Sequence, residues 1–215
     1  MPHEVRAVGA PAENAPLERM TIERRDVLPD DVRIDIEFCG VCHSDIHTVR
    51  GDWGGVPYPL VVGHEIVGTV VEVGANVTKY SVGDTVGVGC LIKSCGECTN
   101  CRNGDDHFCQ APGHPILTYS EPDPFTPGWT TQGGYSQEIV VTQSMVVRVP
   151  DALDKAAATD PPLCRQTRAQ LAPDYPDAAT RWVRDANWTG PVDVPPNQLD
   201  LDDVKSWDAY GDTKK

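Results

Sequence analysis

Apolar and polar residues alternate without interruption over residues 32–38, which is the pattern of a strand with one face in the core. Residues 66–73 and 85–88 are rich in β-branched side chains, and each stretch borders a glycine turn signal. Residues 136–141 and 145–149 are predicted to form two strands that pair with each other. Short strands separated by Gly, Pro and Asp turns are typical of an all-β barrel or sandwich.

The remaining segments are less regular. Residues 44–50 are predicted to form one short helix that stops at Gly51. Residues 90–135 are rich in Cys, Gly, Pro and Asp and lack a clear period. They therefore predict a lobe of loops that a cross-link must hold together. Residues 165–215 contain nine aspartates and no glutamate. Their apolar residues follow neither the helical period nor the alternation of a strand. We expect this divergent acidic tail to be poorly ordered or loosely packed.

The composition and charge of the chain exclude some classes of function. The 215 residues carry a formal net charge of −14, and 40% of them are hydrophobic, enough for an ordinary core. Clustered Lys and Arg, which nucleic acids and anionic membrane surfaces require, are missing. The N-terminus lacks a basic and then apolar leader, and no apolar run approaches the ~20 residues that a membrane span needs. We expect a cytoplasmic protein that binds neither nucleic acid nor membrane.

Eight cysteines in such a chain favour metal ligands, a redox pair or packed thiols. Four of them lie in one stretch with the spacing Cys95-x2-Cys98-x2-Cys101-x7-Cys109. Four thiolates at this spacing can close a tetrahedral site without an open position, which is what structural zinc requires. Two disulfides or an iron–sulfur cluster are the alternatives. A bacterial-type cluster run ends in Cys-Pro, whereas Cys109 precedes a glutamine.

A second group of chemically active side chains lies in residues 40–47 (G-V-C-H-S-D-I-H) and residues 63–65 (G-H-E). Each signal is weak alone, because a single histidine is more often a surface or core residue. Together they offer a thiolate, imidazoles, two carboxylates and a hydroxyl. That set suits an open zinc site with orienting neighbours and a path for protons.

Several of these motifs resemble one known family. Residues 40–45, residues 59–68 (P-L-V-V-G-H-E-I-V-G) and the four-cysteine stretch resemble the zinc-containing medium-chain alcohol dehydrogenases. The branch that they resemble most is the cinnamyl alcohol dehydrogenase-like branch of NADP-dependent aldehyde reductases. Residues 52–54 (D-W-G) and 133–136 (G-G-Y-S) fit that branch as well. The resemblance covers roughly residues 5–164.

The resemblance implies both a fold and an activity. The fold is mainly β: a GroES-like, partly open β-barrel over residues 1–160. A structural zinc ion would hold together the lobe at about residues 90–112. The activity is the NAD- or NADP-linked interconversion of an alcohol and an aldehyde. The implied cofactors are NADP or NAD, one structural zinc ion and one catalytic zinc ion. The implied partner is a small-molecule alcohol or aldehyde.

The resemblance also implies a role for each residue of the second group. Cys42, His64 and Cys164 match the three ligands of the catalytic zinc. Glu65 matches the acid that can become a transient ligand. Asp45 matches the carboxylate that hydrogen-bonds the ligating histidine and fixes its tautomer.

Three further residues match positions that handle protons and cofactor. Ser44 matches the hydroxyl that holds the substrate oxygen, and His47 matches the relay histidine that passes the proton to solvent. His43 matches a position near the cofactor pyrophosphate. The ligands that match the structural zinc site are Cys95, Cys98, Cys101 and Cys109.

Beyond Cys164 the chain departs from the family pattern, which continues with Ala-Gly, a helix and a Rossmann domain that opens with a glycine-rich fingerprint. Here R-Q-T follows, and the only downstream glycines are Gly190 and Gly211, so no G-x-G-x-x-G follows. The expectation is a truncated chain without a Rossmann domain and without the family dimer interface. A frameshift near residue 160, a gene fusion or a gene-boundary error would each explain the change.

Two functional interpretations follow. The first is a zinc-dependent alcohol dehydrogenase or aldehyde reductase by family, with little turnover by this chain alone because hydride transfer needs a held nicotinamide. The alternative is a non-catalytic zinc-binding domain. A test of NADPH fluorescence and of aromatic aldehyde reduction distinguishes them.

The two zinc sites are predicted to differ in zinc affinity. The four-cysteine site lies within one loop, whereas the other site needs Cys164, whose neighbouring sequence departs from the family pattern. We expect about one zinc ion per chain to survive dialysis against a weak chelator. Cys98→Ser should remove that ion and destabilise the fold, and Cys164→Ala should barely alter stability. Two surviving ions, one of them lost in Cys164→Ala, would contradict this prediction.

Overall fold

The computed structural model describes residues 2–150 and 152–159, and strands dominate this part of the chain. The strands are β1 (His3–Gly9), β2 (Glu18–Arg24), β3 (Asp31–Gly40), β4 (Glu65–Val73), β5 (Thr85–Val88), β6 (Leu91–Lys93), β7 (Ile116–Leu117), β8 (Glu138–Thr142) and β9 (Val146–Arg148). The helices are α1 (His43–Arg50) and α2 (Thr99–Arg102), and short 3-10 turns cover Asp106–Phe108, Gln143–Met145 and Ala157–Thr159. No helix in these ranges is long and apolar enough to span a bilayer. Cys164 and the acidic tail lie outside the described residues.

Five strands form the central sheet in the order β8-β3-β4-β5-β9, and every neighbouring pair is antiparallel. The strands β8 and β9 lie at opposite edges of this sheet, so the barrel that it begins is not closed by their pairing. A β1–β2 hairpin and a β6–β7 pair complete the strands of the described region. The expectation of a mainly β, partly open barrel is confirmed.

The predicted strands at 32–38, 66–73 and 85–88 correspond to β3, β4 and β5. The predicted helix at 44–50 corresponds to α1. The predicted pairing of the last two strands is wrong, because β8 pairs with β3 while β9 pairs with β5. Only the 3-10 turn Gln143–Met145 separates them, so the sheet curls and brings its two edges close together. The β1–β2 hairpin was not predicted.

The core explains how the two halves of the second sequence motif meet. Inward-facing Val32 and Ile34 of β3 are fully buried, in a cluster to which β4, β5, β8 and β9 also contribute. The antiparallel register of β3 and β4 places Gly40 opposite Glu65. Because α1 begins just after β3 and His64 just precedes β4, the motifs at 40–47 and 63–65 lie at the same end of this strand pair.

The segment 132–138 is held against the barrel by a buried arginine. Arg24, at the end of β2, is only 8% exposed. Its guanidinium donates to four acceptors of this segment: the carbonyl oxygens of Gln132 (2.7 Å), Gly133 (2.8 Å) and Glu138 (2.9 Å), and the hydroxyl of Ser136 (2.7 Å). These bonds fix the backbone that carries Tyr135, which contributes to the site described below.

A glycine in β4 provides a test of this packing. Gly68 pairs with Ile36, and a Cβ at Gly68 would overlap the Asp35 carbonyl oxygen. Gly68→Ala should therefore lower the free energy of unfolding by about 1–3 kcal/mol in a urea titration. Gly89→Ala is the matched control, because a Cβ there meets no atom within 4 Å, and it should change stability by less than about 1 kcal/mol. Equal losses in both variants would contradict the close strand approach.

Candidate functional site

Three potential metal ligands converge where β3, α1 and β4 meet. The ligand atoms of Cys42, His64 and Glu65 all lie within 4.8 Å of one another. Cys42 is the N-cap residue of α1 and is half-buried, while His64 and Glu65 are buried. A thiolate, an imidazole and a carboxylate in this proximity are donors that zinc accepts.

The buried carboxylate of Asp45 organises this group. Its Oδ2 accepts hydrogen bonds from the Cys42 amide (2.9 Å) and the Tyr135 hydroxyl (3.1 Å). Its Oδ1 accepts from the Gly63 amide (3.0 Å) and the Tyr119 hydroxyl (2.7 Å). Four donors satisfy a charge that is only 2% exposed, so Asp45 fixes the loops that carry both metal-binding motifs.

His64 is oriented by two of these groups. Its Nδ1 lies 3.3 Å from Asp45 Oδ1 and 3.3 Å from the Tyr119 hydroxyl oxygen. A metal-binding imidazole needs one nitrogen free of its proton, and the hydrogen bond made by the other nitrogen selects which one. With Nδ1 engaged as a donor, Nε2 is the nitrogen available to a metal ion.

The electrostatics of the group favour a positive charge at its centre. Hydrogen bonds from the His64 imidazole and the Ser44 hydroxyl lower the pKa of the Cys42 thiol despite partial burial. Burial opposes ionisation of Asp45, yet the hydrogen-bonded His64 lowers the pKa of that carboxyl. Burial also opposes protonation of His64, but Asp45 and Cys42 raise its pKa well above the usual range. The donor set therefore fits a bound cation such as zinc.

The polar side chains of α1 lead from this centre toward solvent. The Ser44 hydroxyl donates to Cys42 Sγ at 3.1 Å. His47 is about half exposed, and its ring stacks on that of His43 with centroids 4.7 Å apart. His47 Nδ1 lies 2.6 Å from Asp52 Oδ2. Asp52 follows the helix stop at Gly51 and thus adds a proton acceptor that sequence reasoning did not assign.

The four-cysteine lobe forms a second donor cluster between β6 and β7. The four sulfur atoms lie within 4.8 Å of one another, with Cys95–Cys101 at 3.7 Å and Cys98–Cys101 at 3.4 Å. Zinc–sulfur bonds of about 2.3 Å in a tetrahedron give sulfur separations of about 3.8 Å. Disulfide bonds of about 2.05 Å are absent among the described cysteines, so that alternative is not supported. The cluster fits a structural zinc site.

Backbone amides support the sulfur atoms of this lobe. The amides of Glu97 and Cys98 donate to Cys95 Sγ at 3.4 and 3.3 Å, and the Cys95 amide donates to Cys109 Sγ at 3.5 Å. Backbone amides also lower the pKa of the Cys98 thiol to about 6. The thiolate, which is the form that binds metal, is therefore favoured at Cys98, whereas burial raises the pKa of the Cys101 thiol to about 12.

Of the residues singled out from the sequence, Cys42, Ser44, Asp45, His64 and Glu65 lie together, and His43 and His47 lie on the exposed side of α1. Cys164 lies outside the described residues and stays a prediction. Sequence reasoning missed Tyr119 and Tyr135, which are 74 and 90 positions from the aspartate that they contact. No local pattern could have revealed them.

Comparison with known proteins places these features in a family. The family model described as the alcohol dehydrogenase GroES-like domain matches residues 28–151. The chain is 50% identical over 161 residues to aldehyde reductase YahK of Escherichia coli, covering 75% of this chain and 45% of that protein. It is 51% identical over 160 residues to NADP-dependent alcohol dehydrogenase C 1 of Mycolicibacterium smegmatis, covering 74% and 45%.

A solved structure supports the same family assignment. A cinnamyl alcohol dehydrogenase of Helicobacter pylori, solved with NADP(H), superimposes with a TM-score of 0.74 at 35% identity. The match covers 80% of this chain and 49% of that one. The chain thus spans about half the length of the relatives that it matches.

The Asp45 network generates a stability prediction. Asp45→Asn leaves buried donors facing an amide NH2 and removes the charge, which should lower the free energy of unfolding by about 3 kcal/mol. Asp52→Asn is the control, because its side chain is 43% exposed and it should cost less than about 1 kcal/mol. Urea unfolding of the metal-free chain measures both. Equal small losses would show that the carboxylate does not organise the site.

Proposed function

The chain belongs to the alcohol dehydrogenase family that carries this GroES-like domain, and we propose that residues 1–160 act as the zinc-binding catalytic domain of an NADP-linked alcohol dehydrogenase or aldehyde reductase. The observation that carries this proposal is the convergence of Cys42, His64 and Glu65 around a centre that Asp45 orients. The NADP dependence of the relatives supports the choice of cofactor. The described cysteines are free thiols, which supports a reducing, cytoplasmic setting.

We assign the metal ligands as Cys42 and His64, with Cys164 as the third. The carbonyl oxygen of Thr159 lies beside Gly40 and Glu65, and five residues can extend up to about 18 Å. Cys164 is therefore within reach of the centre. Glu65 is the candidate for a transient ligand, and the four cysteines of the lobe hold a structural ion.

The chemistry follows from these positions. A zinc ion supplies Lewis acidity toward the substrate oxygen, and a nicotinamide supplies or accepts the hydride. The Ser44 hydroxyl lies against the Cys42 sulfur and can turn to hold the substrate oxygen. In alcohol oxidation, His47 would pass the proton released by the substrate to solvent, while Asp52 Oδ2 holds its Nδ1 in place. His43, stacked on His47, presents its exposed ring for contact with the cofactor phosphates.

A non-catalytic zinc-binding domain is the second candidate. The observation in its favour is that the 215 residues contain no G-x-G-x-x-G sequence, the fingerprint that cradles a dinucleotide pyrophosphate. Both candidates share the two metal centres, so metal binding alone does not separate them. NADPH-dependent turnover does.

The test uses the full chain with cobalt in place of zinc. Once zinc fills the four-cysteine site, added cobalt should give a thiolate-to-cobalt absorption band that Cys42→Ser removes. Benzaldehyde should shift the visible cobalt bands if the site is open to a substrate oxygen. Absence of a Cys42-dependent band would overturn the proposed centre.

Turnover is then measured with the zinc-loaded chain, NADPH and benzaldehyde. We expect slow NADPH oxidation at most, because no fingerprint for the dinucleotide is present. Any oxidation should disappear in His64→Ala and fall in His47→Ala. A cobalt band without aldehyde-induced shifts and without NADPH oxidation would favour the non-catalytic domain.

A further inference from the structure

Tyr119 contacts both the carboxylate that organises the site and the imidazole proposed to bind metal. It is buried, with 8% of its surface exposed, and its ring lies 5.7 Å from that of His64, centroid to centroid. Its hydroxyl donates to Asp45 Oδ1 at 2.7 Å and lies 3.3 Å from His64 Nδ1. A phenol hydroxyl can donate one hydrogen bond and accept others. Tyr119 can therefore accept from His64 while it donates to Asp45.

The direct contact between His64 and Asp45 is long, at 3.3 Å. The alternative route, from Nδ1 through the tyrosine hydroxyl to the carboxylate, contains one short bond of 2.7 Å. The imidazole proton is thus shared between a carboxylate and a hydroxyl that the same carboxylate holds in place. Removal of the hydroxyl would leave His64 Nδ1 without its tyrosine partner and dependent on the 3.3 Å contact with Asp45.

The backbone on both sides of Tyr119 is anchored, so the position of its hydroxyl is set by the fold. The Thr118 amide donates to the Cys90 carbonyl at 3.0 Å, and its hydroxyl donates to the Gly89 carbonyl at 2.5 Å. The Ser120 amide donates to the Thr131 carbonyl at 3.0 Å. Tyr119 is therefore a fixed support against which the ring of His64 is aligned.

Tyr135 offers a natural comparison. It also donates to the Asp45 carboxylate, but to the other oxygen, Oδ2, at 3.1 Å. Within the described residues, no hydrogen bond joins it to His64. The two tyrosines thus share support of Asp45 and differ in contact with the metal-binding imidazole.

We propose that Tyr119 is a positioning residue that aligns His64 through Nδ1 and leaves Nε2 directed to the metal. The proposal rests on the proposed metal centre of Cys42 and His64. Groups that hold the second nitrogen of a metal-binding histidine typically change metal affinity by about 10–100-fold when they are removed. The hydroxyl of Tyr119 should therefore control metal affinity at this centre and leave the four-cysteine site unaffected.

The experiment compares Tyr119→Phe with Tyr135→Phe in the full chain, each with zinc in the four-cysteine site. Cobalt is titrated into the second site, and its dissociation constant is read from the Cys42-dependent absorption band. Tyr119→Phe should raise that constant about 10–100-fold, clearly more than Tyr135→Phe, which removes a donor to Asp45 alone. A purely structural role would instead lower the urea stability of both metal-free variants and leave cobalt affinity unchanged.

The outcomes separate the two proposals. Unchanged cobalt affinity in Tyr119→Phe, or equal weakening in both variants, would overturn the role of the His64 contact while leaving the metal centre intact. A parent chain without the Cys42-dependent band would overturn the centre and this role with it.

A measurement on the unsubstituted chain tests the proposal even if the Tyr119 variant does not fold. With 15N-labelled histidine and zinc, His64 should bind through Nε2 and show an Nδ1 proton close to the ring protons of Tyr119. Binding through Nδ1 would overturn the proposal.

Discussion

A carboxylate buried away from water must find several hydrogen-bond donors, and Asp45 finds them in four separate segments. The donors are the Cys42 amide before α1, the Gly63 amide before β4, and the hydroxyls of Tyr119 and Tyr135. Three of these bonds tie residues 18, 74 and 90 positions away to one charge, and the fourth holds the adjacent start of α1. The candidate metal-binding motifs at 40–47 and 63–65 therefore have a defined separation without any metal, because both are bonded to the same side chain.

The four-cysteine lobe contributes to the same arrangement although its own chemistry is separate. Its two ends are β6 and β7, which pair with each other and close the lobe at its base. Tyr119 follows β7 by two residues, and its neighbour Thr118 is bonded to the backbone just before β6. A metal ion that holds the lobe together thereby also stabilises the strand pair from which Tyr119 reaches the other centre. A structural ion can support catalysis in this way without touching a substrate.

The sequence allowed prediction of features whose determinants are local. Alternation over residues 32–38 predicts β3, and the spacing from Cys95 to Cys109 predicts a closed sulfur cluster, because both patterns lie within one short stretch. The predicted pairing of the last two strands with each other is wrong, because β8 and β9 are the two edges of a curled sheet and pair with β3 and β5. Tyr119 was missed because its partners lie 55 and 74 positions away. Contacts of that range depend on the finished topology, which no periodicity encodes.

Gly40 connects the metal centre to the C-terminal end of the described domain. A Cβ at this position would lie 2.5 Å from Glu65 Oε2 and 3.2 Å from the Thr159 carbonyl oxygen. A side chain at this position would displace the Glu65 carboxylate and press on the Thr159 backbone. The segment itself is anchored by the ion pair between Lys155 and Glu37 at 2.6 Å and by the burial of Ala158.

This anchoring places the Thr159 carbonyl oxygen beside Gly40, the residue that pairs with the candidate ligand Glu65. The position of Glu65 is thus constrained from two sides, by the register of β4 against β3 and by the segment that leads toward Cys164. Any force that displaces the segment also acts on Glu65. The geometry of the centre therefore depends on the chain that follows the barrel as well as on the barrel itself.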